Sequence, residues 1–234
     1  MARGTTFGQL IEMTRLEAGL DPDPALSLNT LPLIKQLIKR EYARLYEEFD
    51  WPFTRVREEL MTVAGERYYD IPNTLDLERI ETLQYFWGQR WHDLERGIEM
   101  ADYTSYNSDL DVRHEPAWKW DIHYTGPTAQ VELWPMPSTN DKQVRFIGIR
   151  KPTPLIDDSD RCDLDDMMVT LFAASEFMAR KQSPDAPLKQ EKARQRFHLM
   201  KGKSITTKTN AFSFAKQPEP KKPYRGPLVA YVRT

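Results

Sequence analysis

Six aspartates crowd into ten positions: Asp157, Asp158, Asp160, Asp163, Asp165 and Asp166. Carboxylates at that density suit a hard cation. A calcium loop, however, needs alternate ligands, a central glycine and a closing glutamate. The run lacks the glycine and the glutamate. A solvated loop followed by helix capping accounts for it better, with a weak cation site in the loop as the other reading. Gly202-Lys203-Ser204 has the ending of a phosphate-binding loop, but that motif needs a glycine where Phe197 stands and a strand before it. Here a helical pattern precedes. His92, His114, His123 and His198 are far apart, and no two have the helical spacing of metal ligands. Glu58 and Glu59 could pair as glycosidase carboxylates do, yet strand neighbours point to opposite faces and cannot flank one bond. Cys162 sits among negative charges, which raise a thiol's pKa, and gives no nucleophile signal. Tyr85, Trp87, Trp91, Trp118, Trp120 and Trp134 could stack bases as in single-strand binders. Several of them alternate at strand period, and sheet packing is the favoured account. No catalytic residue, cofactor site or firm metal site emerges.

The elements that hold these residues fall into two kinds. Thr6-Phe7-Gly8-Gln9 has capping-box form and opens a helix over about 6–18, which Gly19 stops. A second helix starts near Thr30 with Pro32 in its first turn. Ile34, Ile38, Tyr42, Leu45 and Phe49 form its apolar stripe. Asp50-Trp51-Pro52-Phe53 ends it, because proline disfavours helical geometry in the residue before it. Strand patterns follow. Glu58–Val63 and Arg67–Ile71 can pair across Ala64-Gly65-Glu66. Ile80–Trp87 and Arg90–Leu94 can pair across Gly88-Gln89, a Gly-first turn suited to type II′. Residues 95–106 suggest a short helix. Trp118-Lys119-Trp120-Asp121-Ile122-His123-Tyr124 alternates cleanly and pairs with Ala129, Val131 and Leu133 across Thr125–Thr128. Val144–Arg150 is the last strand. Asp163 can cap a third helix over 164–181, with Leu164, Met168, Leu171, Ala174 and Met178 on its core side. A fourth runs over about 186–201, with Ala193, Phe197 and Met200 apolar and Gly202 as its stop.

The fold class expected is therefore α+β. An antiparallel helical bundle (1–56 and 155–202) carries an inserted antiparallel β-module (57–154) and an extended C-terminal arm (203–234). At 234 residues the chain can bury a substantial core. The N-terminus has no long apolar run of signal-peptide type, and no window approaches the ~20 apolar residues of a membrane-spanning helix. One cysteine excludes an internal disulfide framework and fits synthesis in a reducing cytoplasm. The net charge of −2 hides an asymmetry. From Lys189 onward there are 12 Lys and Arg against 2 Asp and Glu, leaving 21 against 33 in the preceding 188 residues. A chain ending at Gly202 carries −8. Such a body repels nucleic acid, whereas the basic end suits an acidic partner. The arm is proline-broken and lysine-rich, with too few apolar residues to offset ordering entropy, and is expected to be disordered when alone.

The order helix, helix, Trp-Pro-Phe, β-insert, αα-hairpin, basic arm resembles the head-to-tail adaptor proteins of tailed bacteriophages, the group that includes tail tubular protein A. Asp50-Trp51-Pro52-Phe53, Tyr68-Tyr69-Asp70-Ile71-Pro72, Leu133-Trp134-Pro135-Met136-Pro137 and Ile149-Arg150-Lys151-Pro152 carry the likeness, followed by Leu155 and Asp160. It covers about Thr6 to Gly202. The resemblance implies a structural virion protein at the head–tail junction, without an active site or cofactor. Its copies would form a ring, commonly of twelve, below the portal protein. Tail or nozzle proteins would meet its far face, and DNA would pass through the lumen without sequence-specific binding during genome ejection. The arm would then bind the portal, with DNA in the lumen as the competing partner for its charges. Phe212, Phe214, Tyr224 and Tyr231 would be its anchors, and Lys216, Lys221, Lys222 and Arg225 its cations. Trp51 and Phe53 are expected at the junction of bundle and β-module. The rival functions are a phage-associated cell-wall hydrolase and a single-stranded nucleic-acid binder.

Overall fold

A computed structural model describes residues 3–21, 29–126 and 129–204. Helices lie at both ends of the chain order. Helix α1 is Phe7–Glu17 and α2 is Leu31–Glu47. Strands β1 (Arg55–Met61), β2 (Tyr68–Asp70), β3 (Leu75–Trp87), β4 (Arg90–Asp93) and β5 (Glu95–Arg96) follow. The short helix α3 is Met100–Ser105. Then come β6 (Lys119–Tyr124), β7 (Ala129–Trp134), β8 (Gln143–Arg150), and the helices α4 (Asp166–Arg180) and α5 (Ala186–Ser204).

Local chemistry explains the helix starts. Thr6 and Gln9 exchange both capping-box hydrogen bonds at the start of α1. Pro32 occupies the first turn of α2, where its missing N–H costs little. Asp165, not Asp163, caps α4 by accepting the Met168 amide at 3.0 Å. Asp163 lies two residues too early and turns to other donors. Gly202 does not stop α5, which runs on to Ser204. An isolated glycine costs a helix only about 1 kcal/mol relative to alanine. The helical core joins Phe7 and Leu10 of α1, Ile34 and Ile38 of α2, Met168 and Phe177 of α4, and Phe197 of α5. Leu37 and Tyr46 of α2 are buried as well.

The strands form two four-stranded sheets, ordered β1-β8-β3-β4 and β2-β7-β6-β5. Leu83 and Phe146 of the first share one core with Trp120 and Val131 of the second, so the sheets form a sandwich. The expected pairing of 58–63 with 67–71 does not occur. β1 pairs antiparallel with β8, and β2 with β7. The turn between them exists, with the Glu66 amide bonded to the Val63 carbonyl, but the chain crosses there from one sheet to the other. The β3–β4 hairpin is present. Its turn places both Gly88 (φ 55°) and Gln89 (φ 64°) at positive φ, which is type I′ geometry rather than II′. Residues 95–96 belong to a strand parallel to β6, so the helix expected over 95–106 is confined to α3. The β6–β7 hairpin forms in the expected register, Trp120 opposite Leu133. Opposite Gly148, β3 bulges. A Cβ at Gly148 would stand 2.8 Å from the Arg79 carbonyl oxygen, so only glycine admits that approach.

Candidate functional site

The path from α2 into β1 is built around Trp51. Proline at 52 starts a 3-10 turn, Pro52–Thr54, immediately after it. The indole is 1% exposed. Its Nε1 donates to the Leu45 carbonyl at 3.0 Å, one of the last carbonyls of α2, which lack intrahelical partners. Its ring meets Phe49 edge-on at 4.9 Å, Phe197 of α5 at 6.1 Å and Phe53 at 6.0 Å. The Thr54 hydroxyl closes the turn by donating to the Trp51 carbonyl at 2.6 Å. Phe53 is half-buried, with the Arg3 guanidinium 3.6 Å above its ring. Ile149 of β8 and Leu155 lie in the same apolar cluster as Trp51.

A second constellation lies on the sheet that contains β7. Residues 97–116 cross it as a strap carrying α3. Lys119 Nζ donates to both Asp102 oxygens at 3.0 and 2.8 Å. That bond lowers the Asp102 pKa and raises that of Lys119. Buried Glu132 accepts from Arg67 Nε at 2.6 Å and from the Tyr103 hydroxyl at 2.7 Å. Burial, then the bond to Glu132, pushes the Tyr103 hydroxyl up to about 12. Arg67 reaches Asp109 as well. Trp134 Nε1 donates to the Tyr106 carbonyl at 3.0 Å. The strap exposes Met100 (86%) and Leu110 (74%). None of Arg67, Tyr103, Tyr106 and Glu132 was singled out from the sequence. The charged Glu132 between Val131 and Leu133 is the one local sign, and its partners lie far away in the chain.

The residues that could do chemistry are each engaged separately. Asp158 pairs with Lys35 at 2.8 Å. Asp160 accepts the Ile156 and Asp157 amides. Asp165 binds Arg196 through two hydrogen bonds, and Asp166 accepts from Thr5. Among the described residues, no group of three or more His, Cys, Asp and Glu could hold a metal ion. His123 stacks on Tyr68, and His114 on Tyr106, each at 4.6 Å. His92 lies against the Trp87 carbonyl, and His198 beside the Phe197 ring. Glu58 accepts from Thr74 while Glu59 accepts from Arg145. Cys162 is 1% exposed. Burial first, and the charges of Asp163, Asp166 and Asp165 next, push its thiol up to about 12. The acidic neighbours foreseen from the sequence are thus the smaller cause.

The aromatics of the β-region have packing partners. Tyr85 and Trp120 are buried in the sandwich core. Trp118 and Trp134 meet edge-on at 5.1 Å. Arg145 caps Trp91 at 3.8 Å, and Lys142 lies 5.0 Å over Trp87. A groove of about 580 Å³ between α2, α4 and α5 contains Phe172, Phe197, Glu41 and Glu176. Both carboxylates are held by arginines, Glu41 by Arg44 and Glu176 by Arg40. Phe212, Phe214, Lys216, Lys221, Lys222, Tyr224, Arg225 and Tyr231 lie outside the described residues.

The sequence matches the family described as SU10 adaptor protein over residues 5–213. The chain belongs to that family. It is a bacteriophage head–tail adaptor and a structural component of the virion. The match is to this family as a whole and does not assign the chain to the narrower group of tail tubular protein A. Adaptors of this kind bind portal and tail proteins in general. A comparison with curated proteins gives no match. No helix among the adaptor's described residues is long and apolar enough to cross a membrane. The matched span ends between Phe212 and Phe214, so most of the arm's candidate anchors fall beyond it.

Proposed function

We propose that the adaptor assembles as a ring, of about twelve copies as the sequence resemblance implies, below the portal. It joins capsid to tail and passes DNA through its lumen. The observation that carries the reading, beside family membership, is the division of charge. Residues 1–204 hold 27 Lys and Arg against 34 Asp and Glu, and residues 205–234 hold 6 against 1. A net-acidic wall repels the DNA phosphates, so the genome slides rather than sticks. A basic arm is drawn instead to acidic protein surface. In this reading the arm binds the portal through Phe212, Phe214, Tyr224 and Tyr231, with Lys216, Lys221, Lys222 and Arg225 meeting portal carboxylates. Trp51 and Phe53 wedge the helices against the β-module, and no step of the function is catalytic.

Electron microscopy of the virion and of the purified chain tests the proposal. A ring of adaptor copies between portal and tail is expected. A chain ending at Ser204 is expected to fold yet fail to stay on portal-bearing heads. Normal occupancy by that truncated chain would remove the arm's role, and absence of the protein from the junction would remove the whole reading.

A further inference from the structure

Asp163 is set apart from the other aspartates of its run. Its side chain is 14% exposed and takes donors from three segments. The Tyr42 hydroxyl of α2 donates at 3.0 Å, the Thr153 amide at 3.1 Å, and Arg150 Nη2 arrives from the end of β8. A second set of bonds runs alongside. The Tyr46 hydroxyl donates to the Arg150 carbonyl at 2.7 Å. Arg79 of β3 donates to the Tyr46 carbonyl at 3.0 Å and pairs with Asp50 beyond the end of α2. Burial, followed by the Asp163 charge, raises the Tyr42 pKa well above its ordinary value, so the hydroxyl stays a donor.

One carboxylate therefore bonds a helix, the last strand and the linker 151–154 that joins sandwich to helices. The apolar layer beside it, Trp51 with Ile149 and Leu155, attracts without direction. Converging hydrogen bonds fix an angle as well as a distance. We propose that Asp163 is the lock of this junction, the group that makes helices and sandwich one cooperative body. Replacing it with asparagine exchanges one acceptor oxygen for an NH₂ that faces donors. Arg150 is then left without its counter-charge, and the linker is free to hinge. The inference concerns the single chain and stands or falls independently of the ring.

Five of the six tryptophans lie in residues 87–134, so indole fluorescence follows the sandwich, whereas far-ultraviolet circular dichroism follows the helices. Thermal unfolding of the full chain is monitored by both. In the unaltered protein the two midpoints are expected to coincide. In Asp163→Asn they are expected to separate by several degrees. Asp165→Asn keeps an oxygen to cap α4 but removes the counter-charge of Arg196, a pair made within the helices. It is expected to lower both midpoints together. Should Asp163→Asn fail to fold, Tyr42→Phe removes one donor and is expected to give a smaller separation. Coincident curves in Asp163→Asn, or in Tyr42→Phe where only that variant folds, would overturn the lock. So would separated curves in the unaltered protein, or an equal separation in Asp165→Asn.

Discussion

Replacing Trp51 with alanine probes the proposed wedge most directly. The indole is 1% exposed and touches three phenylalanine rings. Truncating a buried aromatic to alanine costs about 3–5 kcal/mol through lost transfer energy and the cavity left behind. The Nε1 bond to the Leu45 carbonyl is lost as well, leaving a helix-end acceptor bare. For a chain of this size about 1 kcal/mol shifts Tm by roughly 2–4 °C, so a drop of roughly 6–20 °C is expected. Trp51→Phe keeps most of the ring but loses the donor, and should cost only about 1–2 kcal/mol. Hydrogen exchange supplies the positional readout. Faster exchange is expected both in α5 near Phe197 and in the Pro52–Thr54 turn that leads to β1. An unchanged Tm for Trp51→Ala, or faster exchange in the helices alone, would refute the wedge.

Two further outcomes are expected. A chain ending at Ser204, the last described residue of α5, should bind duplex DNA weakly, and the salt-dependent binding of the full chain should go with the arm; anisotropy titrations at two salt concentrations check this, and tight binding by the truncated chain would contradict it. Asp102 has a folded-state pKa below its ordinary value because Lys119 donates to it. The strap's hold is therefore complete above the ordinary carboxylate pKa and is lost as pH falls through the lowered one. Hydrogen exchange over 99–106 should quicken only in that acid range, and Asp102→Asn should produce the same loosening at neutral pH; protection there that ignores both changes would contradict the account.

What the sequence disclosed was mostly local. The Thr6–Gln9 box, the proline in the first turn of α2, and the β3–β4 and β6–β7 hairpins each rest on residues close in the chain. What it concealed was mostly distant. Residues 58–63 and 67–71 both read as strands with a turn between them, and both expectations were sound, yet each strand finds a partner sixty or more residues away. Strand periodicity names the buried face and says nothing of the neighbour. The aspartate run shows the same limit. Asp163 reads as the cap of α4, and only the positions of Arg150, Tyr42 and Thr153 assign it another task. The Glu132 cluster was silent because Arg67 and Tyr103 reach it from 65 and 29 residues away.

The pairing of β1 with β8 has a consequence for how such a chain can change over time. Arg55 stands opposite Ile149, so the point where the chain leaves the helices and the point where it returns are side by side. Neighbouring antiparallel residues have Cα atoms about 4.5–5.5 Å apart, a gap that a tight turn can close. Everything between is a detour whose two ends are already joined. Loops can lengthen, strands can be added, or the whole sandwich can be exchanged for another, and the helices still receive their chain at the same place. A lineage under pressure to meet new neighbours can thus rewrite one part of the molecule while inheriting the rest.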